Sequence, residues 1–445
     1  LLWGSWSPGG RSIAYTDRDT LFTQVIGEDR RVALATGAGV HSPTWSPDGK
    51  WIAFVEGNAL FHVNGNTAFS AIRLVRAAGG KPVQVTDASA LNTSPVWVPG
   101  EHALLFISDR EGGRDIYQVA LGPDGLPRST PLRLTTGLNA ERLAISADGR
   151  RLAWSVFTAT SNAWSLPVTP QEPLPLSKAR QLTREAQRVE GISISPDRAW
   201  LYYGSDRSGN PDLWRMRLAG GEPEQLTAEA VGEFAPAVSP DGSEVAFHSQ
   251  RNGNRDIFIM PAAGGPTVQV SSSSGEEAAP AWSPDGRALI WVDGDTIRIA
   301  RRNRGGSWEK PVALLSAPDV GAPQWSPDGR WISYSLHQAG GGAGGQFELF
   351  DVTTGTRRSL PGAAGVFWHA WSGDARVIFG ATADTAGASV IVAVPLTGVR
   401  SRVVAFADQP LSQEIGLGLA VSGRRLYFPL VERKADVWVG EVTHR

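Results

Sequence analysis

One short motif recurs along this chain and restricts what it can fold into. Trp-Ser-Pro-Asp-Gly occurs at 45–49, 282–286 and 325–329, and Val-Ser-Pro-Asp-Gly at 238–242. Weaker copies bring the number of repeats to ten, with anchor positions at 6, 45, 97, 145, 194, 238, 282, 325, 371 and 421. Successive anchors are 39 to 52 residues apart. A period of about 40 to 50 residues is typical of the four-stranded blade of a β-propeller.

Each repeat divides into four short strands separated by turns. In one repeat the predicted strands are 237–239, 244–249, 256–261 and 267–271. Ser-Pro-Asp-Gly joins the first strand to the second, because proline suits the turn and glycine tolerates positive φ. Ala-Gly-Gly, at 78–80, 219–221 and 263–265, joins the third to the fourth. No stretch has sustained helical periodicity, so the chain is predicted to be all-β.

Proline precedes the anchor by two residues in five repeats, at 43, 95, 236, 280 and 323. Proline cannot donate a hydrogen bond to a sheet, which suits an innermost strand with one edge facing a central channel. The anchor tryptophans are then expected to pack between neighbouring blades.

The repeated turn, together with Ser205–Trp214 and its echo Ser108–Tyr117, resembles the TolB-like family of WD-repeat-like propellers. The propellers of prolyl oligopeptidase and dipeptidyl peptidase relatives are also similar. The resemblance covers essentially the whole chain and implies a bacterial protein in an extracytoplasmic setting, periplasmic or secreted. It implies no peptidase activity, because those relatives keep their catalytic machinery in a separate domain.

Ten repeats exceed the usual four to eight blades. We predict a single ten-bladed ring formed by residues 1–445. The alternative is two smaller propellers of four and six blades, formed by residues 1–187 and 188–445. The last repeat has only three predicted strands, the third at 436–442.

The predicted ligand-binding residues lie just ahead of the inner strands, on the side with the more variable loops, which include 58–70 and 340–345. Carboxylates recur there in five consecutive repeats, and His369, beside Trp368, occupies a slot where proline is usual. Such a row at the channel mouth suits a cation or a basic peptide. The alternative is that each carboxylate caps the backbone of its own loop or pairs with a local arginine such as Arg142 or Arg188. For His369 the alternative is a hydrogen-bonded packing histidine. The predicted residues are Glu141, Glu190, Glu233, Glu276, Glu277, Asp319, Trp368, His369 and His41.

The charge balance and the missing motifs exclude several functions. With 42 basic and 44 acidic residues the net charge is −2, which suggests neither nucleic acid nor an anionic membrane as a partner. No apolar run is long enough to span a membrane. The chain has no cysteine, no catalytic signature and no metal-ligand spacing among its seven histidines, so no cofactor and no metal are predicted.

The first functional hypothesis is therefore a non-catalytic module that binds a protein, peptide or ligand, as a scaffold or as the sensor part of a longer bacterial protein. The second is a propeller hydrolase or lyase with its site at the channel mouth. The third is a structural subunit of a larger assembly. Fold alone does not choose among them, because propellers have many functions.

Overall fold

The computed structural model describes residues 4–17, 19–58, 69–168, 173–336, 345–384, 389–405 and 413–442. These parts of the chain form β-sheets, with two short 3-10 turns at Leu176–Lys178 and Pro361–Ala363. Within them, no helix is long and apolar enough to cross a membrane. The predicted loops at 58–70 and 340–345 lie mostly outside the described residues.

The chain divides into two compact units. Unit 1 comprises Leu1–Thr158 and Lys434–Arg445, and unit 2 comprises Ala159–Arg433. The described part of unit 1 contains three four-stranded antiparallel sheets, each of four consecutive strands. Their strands are β1 (Gly4–Trp6), β2 (Ser12–Asp17), β3 (Thr20–Val25) and β4 (Arg31–Thr36); β5 (His41–Trp45), β6 (Trp51–Glu56), β7 (Ala71–Arg76) and β8 (Val83–Gln84); and β9 (Asn92–Trp97), β10 (Ala103–Ser108), β11 (Asp115–Ala120) and β12 (Leu132–Arg133).

Unit 2 contains five further sheets of consecutive strands in its described part. The fifth also takes a short parallel strand, β15 (Leu174–Pro175), at its outer edge. The strands are β17 (Val189–Ile194), β18 (Trp200–Ser205), β19 (Asp212–Arg217) and β20 (Glu224–Gln225); β21 (Glu233–Val238), β22 (Glu244–Ser249), β23 (Asp256–Pro261) and β24 (Val268–Gln269); β25 (Glu277–Trp282), β26 (Ala288–Asp293), β27 (Thr296–Arg301) and β28 (Val312–Ser316); β29 (Val320–Trp325), β30 (Trp331–Leu336), β31 (Gln346–Asp351) and β32 (Arg357–Ser359); and β33 (Trp368–Trp371), β34 (Val377–Ala383), β35 (Ser389–Pro395) and β36 (Ser401–Ala405).

Two strands are much longer than the rest and contribute to both units. β14 (Arg151–Pro167) and β39 (Arg425–Glu441) have 17 residues each. In unit 1, β13 (Ala140–Ile145) pairs with the first part of β14, and Val442 N donates to Arg150 O at 2.8 Å. In unit 2, β16 (Arg180–Gln181) pairs with the second part of β14, while β37 (Gln413–Ile415) and β38 (Ala420–Ser422) pair with the first part of β39.

The prediction of a turn between the second and third strands is wrong for these two repeats. Neither strand has a glycine or proline turn sequence near its midpoint, at Thr158 or Arg433, so the backbone stays extended through the position where the other repeats reverse direction. The unit boundaries fall at these midpoints.

The inner strands of six sheets form a closed series in unit 2. The inner strands make contact in the order β17, β21, β25, β29, β33 and β38, and β38 also contacts β17. The chain is thus an all-β propeller of four-stranded antiparallel sheets, as predicted. The single ten-bladed ring and the alternative division at residues 187 and 188 stay predictions.

The Ser-Pro-Asp-Gly turns have the predicted chemistry. In the copy at 46–49, the Ser46 hydroxyl donates to Asp48 Oδ1 at 2.6 Å, and Lys50 N donates to the same oxygen at 3.1 Å. Gly49 has a φ of +70°, which glycine adopts without strain. The turn therefore satisfies its own polar groups.

The anchor tryptophans Trp97 and Trp282 are buried and reach the neighbouring sheet as predicted, whereas Trp6 is 57% exposed. The indole N–H of Trp97 donates to Thr44 O at 3.2 Å, and that of Trp282 donates to Ala237 O at 2.9 Å. Each acceptor belongs to the inner strand of the preceding sheet. One ring thus both fills the gap and fixes the spacing of two sheets.

Candidate functional site

The predicted carboxylates do lie at the beginning of the inner strands, but most are bonded within the protein. Glu141 Oε2 accepts from Arg114 Nη1 at 2.7 Å, and Glu190 Oε1 accepts from Arg188 Nη2 at 2.8 Å. Burial raises the pKa of Glu190, against the opposing effect of Arg188. For Glu190 the arginine that the sequence suggested as a local partner is the one observed.

Glu233 and Glu277 are the most deeply buried of the set. Glu233 is fully buried and pairs with Arg251; Glu277 accepts from the Ser271 hydroxyl and from Trp291 Nε1, the latter at 3.0 Å. Burial is the largest influence on both groups and raises their pKa values. Their hydrogen-bond partners stabilise these carboxyl groups in the core.

Glu276 and Asp319 are different, because both are exposed. Glu276 lies 3.6 Å from Arg255 Nε, with 62% of its side chain accessible. Asp319 precedes β29, and its backbone N–H donates to Asp295 Oδ1 at 2.8 Å. These two carboxylates stand at the same end of two neighbouring sheets of unit 2.

The two predicted histidines are buried and hydrogen-bonded. His41 Nδ1 lies 2.9 Å from Ser42 Oγ, and its Nε2 lies 3.0 Å from Gly57 O. His369 Nε2 lies 2.7 Å from Ser333 Oγ, and its ring meets Phe347 edge-on at 4.8 Å. Burial lowers the pKa of His369 to about 3, so the imidazole is neutral near pH 7.

Trp368, beside His369, is half-buried and packs against the apolar core of unit 2. Within the described residues, no group of three or more histidine, aspartate or glutamate side chains is arranged to hold a metal ion. The roles of these residues in ligand binding stay predictions.

Sequence reasoning did not find one cavity of unit 2. It has a volume of about 620 Å³ and lies at the opposite end of the strands, between the Ser-Pro-Asp-Gly turns of two neighbouring sheets. We call it the turn-side cavity. Its lining residues are Ser239, Pro240, Asp241, Glu244, Pro284, Asp285, Gly286, Arg287, Arg302, Asn303, Arg304 and Gly306.

An elongated hairpin forms one wall of the turn-side cavity. Residues 302–311 join β27 to β28, whereas Ala-Gly-Gly hairpins such as 262–267 are shorter. Asn303 stabilises the hairpin, because its Oδ1 accepts from the backbone N–H of Gly305 at 2.9 Å and of Ser307 at 3.1 Å. The wall is therefore well defined although it is exposed.

A charged and stacked contact fixes this hairpin to the preceding sheet. Arg302 Nη2 donates to Glu244 Oε1 at 2.8 Å and to Oε2 at 2.6 Å. The same guanidinium lies 4.7 Å from the ring centre of Trp308 and 5.4 Å from that of Trp282. Stacking and ion pairing together hold Arg302 in one position.

Two features of the sequence indicate this cavity in retrospect. The 302–311 hairpin carries three basic residues in a segment that is longer than its counterparts. Glu244 is the first residue of its second strand, where three other repeats have tryptophan, at 51, 200 and 331. A small or flexible side chain at that position leaves space that an indole ring would fill.

Comparison with known proteins identifies relatives for most of the chain. The family model described as the TolB beta propeller domain matches residues 1–166 and 230–398. An uncharacterized protein of Agrobacterium fabrum is 26% identical over 44% of this chain and 60% of its own length. The Tol-Pal system protein TolB of Bordetella pertussis is 28% identical over 21% of this chain and 30% of its own length. The chain thus spans less than two thirds of either relative.

The crystal structure of TolB from Acinetobacter baumannii is similar with a TM-score of 0.43 and 16% identity, over 74% of this chain and 81% of that one.

Proposed function

Because the chain belongs to the TolB β-propeller family, we propose that it is a non-catalytic binding module that recognises a basic segment of a partner protein. The observation that supports this is the contrast within the predicted carboxylates: Glu276 and Asp319 are exposed, whereas Glu233 and Glu277 are buried and bonded. Exposed acids on a rigid sheet end suit recognition of lysine or arginine side chains.

The buried groups favour binding over catalysis. An acid or base must come within hydrogen-bond distance of its substrate, and Glu233 and His369 are instead enclosed among side chains of the protein. We place the module in an extracytoplasmic compartment of a bacterium, as a scaffold or as the sensor part of a longer protein, because its family relatives include Tol-Pal system proteins.

The test is affinity capture with charge reversal. The purified chain is used to capture proteins from an extracytoplasmic extract of the source bacterium, with quantitative mass spectrometry. Glu276→Lys with Asp319→Lys is expected to lower recovery of a specific partner at least about tenfold, because two attractive contacts become repulsive. The matched control is Glu222→Lys with Glu309→Lys, two exposed acids at the opposite end of the sheets, and it should retain the partner.

Equal recovery by both double variants would contradict the proposed surface. The enzymatic alternative has its own readout: an activity screen with metal analysis on the wild type and on His369→Ala. Turnover that is lost together with bound metal in His369→Ala would overturn the non-catalytic assignment.

A further inference from the structure

The turn-side cavity of unit 2 has the size of a small-molecule site. Its volume of about 620 Å³ falls within the range of about 300 to 1,000 Å³ that is usual for such sites. The lining is rich in charged groups, and the walls come from two turns and one stabilised hairpin. A preformed polar cavity of this kind needs a ligand with complementary charge.

Arg287 and Arg304 supply positive charge at the wall of the cavity. Both side chains are exposed and line the cavity. In the described part of the chain, neither guanidinium forms an ion pair with a carboxylate or donates a hydrogen bond. Arg302, in contrast, is neutralised by Glu244. Guanidinium groups bind carboxylates and phosphates well, because their N–H donors match the spacing of the oxygen atoms.

The turn carboxylates supply acceptors for the rest of the ligand. Asp241 Oδ1 accepts from the Ser239 hydroxyl at 2.6 Å and from Ser243 N at 3.0 Å, and Asp285 Oδ1 accepts from the Ser283 hydroxyl at 2.6 Å. These bonds use one oxygen of each carboxylate, and the described residues give no hydrogen bond to the other. A ligand hydroxyl group can donate to each remaining oxygen.

From this lining we propose that the turn-side cavity binds a small polyhydroxylated or hydroxylated organic acid, its carboxylate between Arg287 and Arg304 and its hydroxyl groups on Asp241 and Asp285. The cavity and the exposed acids Glu276 and Asp319 occupy opposite ends of the strands, so this site is independent of the partner surface proposed above.

Calorimetric titration with three probes tests the proposal: citrate, gluconate and a hexaglutamate peptide, at low and at physiological salt. Citrate or gluconate is expected to bind the wild type. Arg287→Ala with Arg304→Ala should weaken that binding at least about tenfold, because both charged contacts are lost. The matched control, Arg376→Ala with Arg424→Ala, removes two exposed arginines of unit 2 that do not line the cavity and should leave the affinity unchanged.

A second variant fills the space instead of removing charge. Glu244→Trp places an indole ring where other repeats have one and should abolish binding, with folding checked by circular dichroism. The proposal is overturned if neither small acid binds at millimolar concentration, if the arginine variant and its control bind equally well, or if only hexaglutamate binds, which would assign the site to an acidic polypeptide. None of these outcomes bears on capture through Glu276 and Asp319.

Discussion

Two elongated hairpins, one in each unit, pack differently against the sheet that precedes them. In unit 1, residues 121–131 join β11 to β12 and lie over Trp51, leaving a pocket of about 70 Å³. In unit 2, residues 302–311 occupy the same place in their sheet, but Glu244 stands where Trp51 does, and the cavity is about 620 Å³. The gap is small where a tryptophan begins the second strand and large where a glutamate does.

The glycines of the two hairpins show the same difference. Gly125 has a φ of +80°, and a Cβ atom there would lie 2.8 Å from Trp51 Cη2. Gly306 has a φ of +84°, and a Cβ atom there would meet nothing within 4 Å. The first hairpin is pressed onto an aromatic ring, whereas the second spans open space.

The largest effect is expected from Trp51→Ala, which empties the filled gap. Trp51 is 9% exposed and packs with Ile72 and Leu74, so its loss should lower the free energy of unfolding by about 3 kcal/mol or more. Urea denaturation followed by circular dichroism measures this. Trp308→Ala is the counterpart in unit 2; because Trp308 is only half-buried, its effect should be clearly smaller. Equal losses would remove the distinction between core and cavity.

A matched pair of glycine substitutions comes next. Gly306→Ala should cost about 1 kcal/mol from positive φ alone, whereas Gly125→Ala adds a steric clash with Trp51 and should cost about 2 to 3 kcal/mol. Thermal or urea unfolding of the two variants gives the difference directly. If both lose the same stability, the first hairpin does not press on the ring.

The ion pair between Glu244 and Arg302 should contribute less to the free energy of unfolding than the buried ring of Trp51 does. Glu244→Gln keeps the size of the side chain but removes the charge that holds Arg302, and we expect a loss of about 0.5 to 1 kcal/mol because both side chains are partly exposed. The loss should shrink in 1 M salt. Glu222→Gln, an exposed acid without an ion pair in the described residues, serves as the control; a salt-independent loss at Glu244 would argue against the ion pair.

The smallest effect, and the one expected to be alike in both units, concerns the turns. Hydrogen bonds from Ser239 and Ser243 lower the pKa of Asp241 to about 2, and the bond from Ser46 lowers the pKa of Asp48. Because the folded pKa of Asp241 lies below the unfolded one, its stabilisation is present above about pH 4 and is lost as the pH falls through about 2. Asp241→Asn and Asp48→Asn should each cost less than about 0.5 kcal/mol at pH 7, because solvent screens these turns, and the cost of Asp241→Asn should be smaller still at pH 2. Urea unfolding at the two pH values tests this, and a loss that persists at pH 2 would contradict it.

Local chemistry made much of the fold predictable. The predicted strands 244–249 and 256–261 match β22 and β23, because turn residues bound them on both sides. The same reasoning missed the continuous strands β14 and β39, since the absence of a turn sequence between two apolar segments is a weak signal compared with its presence.

The candidate sites were less predictable. The position of Glu233 and Glu277 at the beginning of inner strands follows from the repeat. Whether such a carboxylate faces solvent or is buried depends on side chains from elsewhere in the sheet, such as Arg251 and Trp291. The turn-side cavity depends on residues 58 positions apart, Glu244 and Arg302, which the linear sequence does not bring together.

The two long strands also constrain the order in which the protein can be completed during synthesis. The sheet of unit 1 that begins with β13 obtains its third strand from the last part of β39, after all of unit 2 has been made. Until then it has only two strands, and a two-stranded sheet is marginally stable in water. Among the described strands, unit 1 therefore gains its last one only after unit 2, and neither unit has all its described strands until β39 has been synthesised.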